Sequence, residues 1–155
     1  MSVPKKIYIA GPAVFHLDHG DAYYTKVRAL LKEKGVVPLI PVENTVSGAL
    51  NIRNSNLEMI QACDAVIADL SPFRSKEPDC GTAFELGYAA ALGKVLLTFS
   101  TDTRSMVEKY GGQMAEGLSV EDFGLPFNLM LHNGTDVFDS FEAAFGHFSE
   151  KLLSQ

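Results

Sequence analysis

The sequence predicts a doubly wound α/β fold, a parallel five-stranded sheet with helices on both faces. Short apolar runs bounded by turn residues alternate with helix-patterned segments from residue 6 to residue 100. The strand candidates are apolar along their whole length rather than at every second position, which is the pattern of strands covered on both faces by crossover helices. Parallel strands joined in this way take right-handed crossovers.

KIYIA (6–10) reads as the first strand, and DAYYTKVRALLKEKG (21–35) as an amphipathic helix ended by Gly35. VVPLI (36–40) follows as a strand, and Pro38, which has no N–H to give to a ladder, puts it at a sheet edge. The alternation continues with IRNSNLEMIQAC (52–63) as helix, AVIADL (65–70) as strand, CGTAFELGYAAALG (80–93) as helix and KVLLTFS (94–100) as strand. Beyond Ser100 a helix is expected over 103–116, and LPFNLML (125–131) is the candidate fifth strand. Asp139 and Glu142 have capping-box spacing ahead of a C-terminal helix. Repeats, low-complexity tracts and linkers are absent from the sequence, and its 155 residues are expected to form a single domain, 1–155.

Composition narrows the function. Hydrophobic residues make up 46% and charged residues 21%, and no apolar run approaches the length of a membrane span. The N-terminal apolar stretch is too brief for a secretory signal, so a cytoplasmic location is expected. A net charge of -6 gives no electrostatic footprint for a polynucleotide. Cys63 and Cys80 lack metal-type spacing and read as reduced core thiols. His16, His19, His132 and His147 are scattered without ligand spacing, so no metal or other cofactor is expected.

Glu85 is the unusual residue. From Ala83 to Leu92 every other position is apolar, aromatic or glycine, and a helix apolar all round is usually buried. A carboxylate there needs a donor or a chemical use. Its place in the second turn favours the ionised form through the helix dipole. The nearest downstream cation is Lys94, but the Tyr8 hydroxyl, at the end of the first strand, is a candidate partner. In doubly wound sheets ligands bind beyond the carboxyl ends of the strands, which gathers Tyr8 and Gly11, Glu43 and Asn44, Asp69, Asp79 and Glu85 around one crevice. Asp79 also stands where a helix N-cap belongs, and Asp69 reads more readily as a turn residue than as a ligand.

Tyr8-Ile9-Ala10-Gly11-Pro12, NLEMIQACDAVIADLSPFRS (56–75), EPDCGTAFELGYAAALGK (77–94) and FGLPFNLML (123–131) together resemble the nucleoside 2-deoxyribosyltransferase family. The resemblance implies a flavodoxin-like domain that exchanges nucleobases on 2-deoxyribose through a glutamyl-sugar ester. It implies Glu85 as nucleophile, Tyr8 as its orienting group and Asp79 as the residue that binds and helps protonate the base. Gly11 and Phe15 would line the pocket, and Asn128 and Met130 would reach into a neighbouring subunit's site, so at least a homodimer is implied. Substrates would be 2'-deoxynucleosides and free nucleobases. One position departs from the family pattern: Asn56 stands where an Asp is usual, and an amide can hydrogen-bond a base but cannot give up a proton. Asn44 and Asn56 are the candidates for base choice.

The chemistry is coherent with these residues. A carboxylate on the face opposite the base can trap an oxocarbenium-like centre, as in retaining glycosidases, and an apolar pocket built from Phe15, Phe84, Met130 and a partner chain would keep water from the ester. Two rivals remain. A hydrolase of deoxynucleosides or their 5'-monophosphates needs, for the latter, a phosphate cradle, and the loop GPAVFHLDHG (11–20) has no Arg, Lys or Ser. A signalling module phosphorylated on Asp69 needs an acidic pair after the first strand, where Gly11 and Pro12 stand.

Overall fold

In the computed structural model, residues 5–43 and 45–152 are described. The main sheet is built from β1 (Lys6–Ala10), β2 (Val37–Leu39), β3 (Ala65–Asp69), β4 (Val95–Phe99) and β7 (Val137–Phe138), in the order β2-β1-β3-β4-β7. Every pairing in it is parallel. Pro38 lies in β2, and β2 is an edge strand, as a residue without an N–H requires. A separate antiparallel ribbon pairs β5 (Met114–Ala115) with β6 (Leu118–Ser119).

Side-chain alternation along the strands sorts the core into two halves. Ile7, Ile9, Ile67, Leu97 and Phe99 face α1 (Asp21–Glu33) and α5 (Phe141–Leu152), meeting Val27, Leu31, Phe145 and Phe148. Tyr8, Ala10, Val66 and Ala68 face the other side, where α2 (Ala49–Ala62) and α3 (Cys80–Ala91) contribute Ile60, Leu86 and Ala89. Consecutive residues of one strand thus serve opposite faces, which is why Tyr8 looks toward α3 while Ile7 and Ile9 do not.

Several expectations are corrected. The fifth strand is not 125–131. Asn128 caps a 3-10 turn over Leu129–Leu131, its side chain accepting from the Met130 N–H at 3.0 Å, and the strand is the short Val137–Phe138, whose Phe138 carbonyl accepts from the Ser100 N–H. Within the expected strand, Phe127 is fully buried as a core plug. The helix α4 covers only Met106–Tyr110, opened by a capping box between Ser105 and Glu108 and stopped by Gly111 at φ +72°, a left-handed stop suited to glycine. At α5 the cap is Ser140, one residue later than predicted: its hydroxyl accepts from the Ala143 N–H.

The apolar α3 is not buried all round. Leu86 and Ala89 face the core, but Phe84 is 49% and Leu92 43% exposed, because no described element covers that face. Phe84 stacks on Tyr88 and under Arg53 rather than entering a pocket.

Candidate active site

The sheet brings β1 and α3 together at the carboxyl ends of the strands. There the Tyr8 hydroxyl donates to Oε2 of Glu85. Tyr8 is fully buried, and burial first, then the neighbouring Glu85 charge, push its phenol well above its ordinary range. It therefore serves as a neutral donor. Burial is also the main influence on Glu85, pushing its carboxyl up to about 7. The Tyr8 hydrogen bond pulls the other way and the Asp79 charge adds to the rise. The dipole argument from the sequence is corrected here: its influence falls off within the first turn, and desolvation dominates one turn further on.

Asp79 caps α3, as its position suggested. Its Oδ2 accepts from the Thr82 N–H at 2.9 Å and from the Thr82 hydroxyl at 2.8 Å, so Oδ1 is the oxygen left for a ligand. Thr82 is itself completely buried, which fixes the carboxylate's direction.

A cavity of about 750 Å³ opens beside this pair, lined by Gly11, Phe15, Asn56, Asp79 and Glu85 among others, a volume suited to a small-molecule ligand. Gly11 has to be glycine because a Cβ there would stand 2.9 Å from Asp69 Cβ. Phe15 is 57% exposed and packs its ring 5.3 Å from Phe73. The Oδ1 of Asn56 is buried and has no hydrogen-bond partner among the described residues. A buried acceptor in that state awaits a donor, and it stands on the wall of a cavity.

Other predicted residues lie elsewhere. Asn44 falls outside the described residues. Asp69 does not line the cavity: its carboxylate accepts from the Ser71 N–H at 2.9 Å and closes a turn, and burial raises it above the usual carboxylate range. This is the turn role the sequence favoured. Asn128 lines a second cavity of about 540 Å³ with Glu77, Tyr110 and Glu121, while Met130 is 81% exposed. Neither lines the cavity of Glu85 in the same chain.

Tyr24, His19, Arg74 and Cys80 also line the Glu85 cavity, and the sequence motifs did not single them out. Tyr24 comes from α1, and burial with the Glu85 charge pushes its phenol up to about 12. Cys80 is exposed, not a core thiol. Arg74 sits on the β3–α3 loop, where the rule of strand carboxyl ends would have found it; the cation comes to the cavity from this loop and not from the loop 11–20, which has none. Among the described residues, no group of three or more His, Cys, Asp or Glu side chains is placed to hold a metal ion. No described helix is long and apolar enough to cross a membrane.

A half-buried carboxylate held by a tyrosine beside a cavity at the mouth of a parallel α/β sheet can act on a small ligand as nucleophile, acid or base. The model of the family described as nucleoside 2-deoxyribosyltransferase matches residues 7–130, and the chain belongs to that family. A solved structure of a 2-deoxyribosyltransferase from Leishmania mexicana is 79% identical, with a TM-score of 0.94 over 96% of this chain and 99% of that one. A 2-deoxyribosyltransferase from Bacillus psychrosaccharolyticus is 27% identical, with a TM-score of 0.51 over 61% of this chain and 72% of that one. An uncharacterised Schizosaccharomyces pombe protein is 35% identical over 126 residues, 70% of this chain. The match spans 59% of that relative's own length.

Proposed function

We propose that this chain transfers 2-deoxyribose between nucleobases by a retaining double displacement, with a covalent ester on Glu85. The supporting observation is Glu85, held by the Tyr8 hydroxyl, on the wall of a cavity large enough for a small-molecule ligand. One Glu85 oxygen attacks C1' from the face opposite the base while Tyr8 holds the carboxylate, and the base leaves with the bonding electrons. A second base then displaces the ester from the original face, so configuration is retained. Asp79 Oδ1 contacts the base and helps protonate it, and Asn56 Oδ1 accepts from a base N–H. Tyr8 remains protonated throughout, since burial holds its phenol high.

The active form is a homodimer or larger assembly working in the cytoplasm on 2'-deoxynucleosides and free bases. The exposure of the large apolar side chains Phe84, Leu92 and Met130 supports this, since an assembly would cover them. Asn128 and Met130, unused by their own chain's cavity, would complete a neighbour's. Hydrolysis is the second reading, favoured by the half-exposed Phe15, which leaves water a way into the cavity of an isolated chain. Incubation with deoxyinosine, with and without adenine, separates the two. Formation of deoxyadenosine only when adenine is present supports transfer, whereas free hypoxanthine at the same rate in both reactions supports hydrolysis.

A further inference from the structure

On the basis of the transferase reading, we propose that Arg74 is a catalytic residue whose guanidinium hydrogen-bonds the departing nucleobase and stabilises the negative charge that develops on it. Arg74 lines the same cavity as Glu85, Asp79 and Asn56. Its Cζ lies 5.0 Å from the ring centre of Phe15 and 4.6 Å from that of Phe73, so two aromatic faces hold the head group at the cavity wall. Among the described residues it has no carboxylate within ion-pair distance and donates no hydrogen bond. Its donors are therefore free for a ligand. The backbone carries a further sign: Arg74 sits at φ +56°, a left-handed conformation that costs a long side chain energy and tends to persist where a site needs it.

The chemistry supplies the need. When the C1'–N bond breaks, its electron pair stays on the base nitrogen while C1' bonds to a Glu85 oxygen. A base that leaves unprotonated is an anion, with charge spread over its ring nitrogens and any carbonyl oxygen. Asn56 has no acidic proton to offer. Asp79 has one oxygen engaged by Thr82, so a single oxygen would have to both contact the base and protonate it. A guanidinium meets the same charge with fixed N–H donors and transfers no proton. Where Asp79 has not passed a proton to the base by the time the bond breaks, the released anion takes its proton from solvent. In the second half-reaction the incoming base loses its N–H proton to solvent, its nitrogen attacks C1', and Glu85 returns to the carboxylate. Arg74 holds an anion of the same kind in both directions.

The test compares wild type, Arg74→Met and Arg74→Lys on purine 2'-deoxyribosides graded by the acidity of the leaving base, from adenine to 8-azahypoxanthine. Arg74 is exposed, so truncation leaves no buried partner, and an unchanged melting temperature verifies the fold. With adenine as leaving group, Arg74→Met is expected to lose about 100-fold in kcat, the scale for removing one donor from a developing anion, with KM nearly unchanged. The loss shrinks below about 10-fold for the most acidic base. Added ethylguanidinium restores part of the rate, and Arg74→Lys lies between. A loss independent of leaving-base acidity, no loss, or a loss confined to 5'-monophosphate substrates each overturns the proposal while leaving base exchange by the wild type intact. Failure of the wild type to exchange bases on any of these substrates overturns the transferase reading, and the role of Arg74 with it.

Discussion

Tyr8 and Glu85 stand 77 positions apart in the chain and share one hydrogen bond, the phenol donating to a carboxylate that burial has pushed up to about 7. Folding places the acceptor where ionisation is costly and then supplies one donor that reduces the cost. The carboxylate is thereby kept close to its charge transition at neutral pH, where a nucleophile is both available and weakly solvated.

Activity should follow the charge of Glu85. Only the carboxylate can attack C1', so kcat/KM for deoxyinosine should rise with pH through about 7 and fall away on the acid side. The profile of Tyr8→Phe should be displaced to higher pH, because the hydrogen bond that lowers Glu85 is gone. Its activity should drop about 10- to 100-fold at neutral pH, on the scale of a lost charge-assisted hydrogen bond. A profile with the same midpoint in both proteins would detach the observed titration from this pair.

Stability should show the opposite sign. Glu85 takes up its proton near 7 in the folded chain against an ordinary 4.5, so the folded state binds more protons between those values. Stability contributed at this position is therefore lost as pH rises from about 4.5 to 7, and the cost stays in full above that. Glu85→Gln, uncharged throughout, should be more stable than wild type by about 1–3 kcal/mol at pH 8, with the gap closing below pH 4.5. Urea titrations at the two pH values measure it, and a gap of the same size at both would contradict the linkage.

Asp79 holds two roles that substitution can separate. Asparagine also caps helices, so Asp79→Asn should keep most of the stability, while Asp79→Ala should lose about 1 kcal/mol with the cap. Both should lose most of their base exchange, since neither keeps the carboxylate that faces the base. If Asp79→Asn matches wild type in turnover, the residue is a cap alone.

Shared sites can be tested by mixing subunits. Chains carrying Glu85→Ala and chains carrying Asn128→Ala should each be inactive, and exchange between them should restore part of the activity through hybrid sites with neither defect. No recovery, despite exchange verified by mass spectrometry of mixed assemblies, would remove Asn128 from the neighbour's site.

The parallel strands β1 to β4 were legible because each is a continuous apolar run closed by turn residues, a signal that length and composition carry alone. Tyr8, Asp79 and Glu85 were legible for a related reason: each sits at a strand end or first helical turns, where the fold class itself says ligands gather. The strand Val137–Phe138 was not, since two residues carry no period, and LPFNLML imitated a strand although Asn128 turns it and Phe127 plugs the core. Tyr24 reaches the cavity through helix packing that no motif spacing encodes, whereas Arg74 follows the end of β3, where the same rule pointed without being applied to it. The half-exposed α3 shows the remaining limit, because an apolar sequence does not say whether its cover comes from its own chain or another.

The most direct test of Glu85 as nucleophile is to trap the ester. A 2-fluoro-2-deoxyarabinosyl nucleoside slows ester breakdown, because fluorine destabilises the cationic transition state, and peptide mass spectrometry then locates the added sugar. The label is expected on Glu85 in the wild type and absent from Glu85→Gln, whose turnover should fall by about 10³-fold or more. A label on Asp79 or Asp69, or near-normal turnover by Glu85→Gln, would show that Glu85 is structural and that another group carries the sugar.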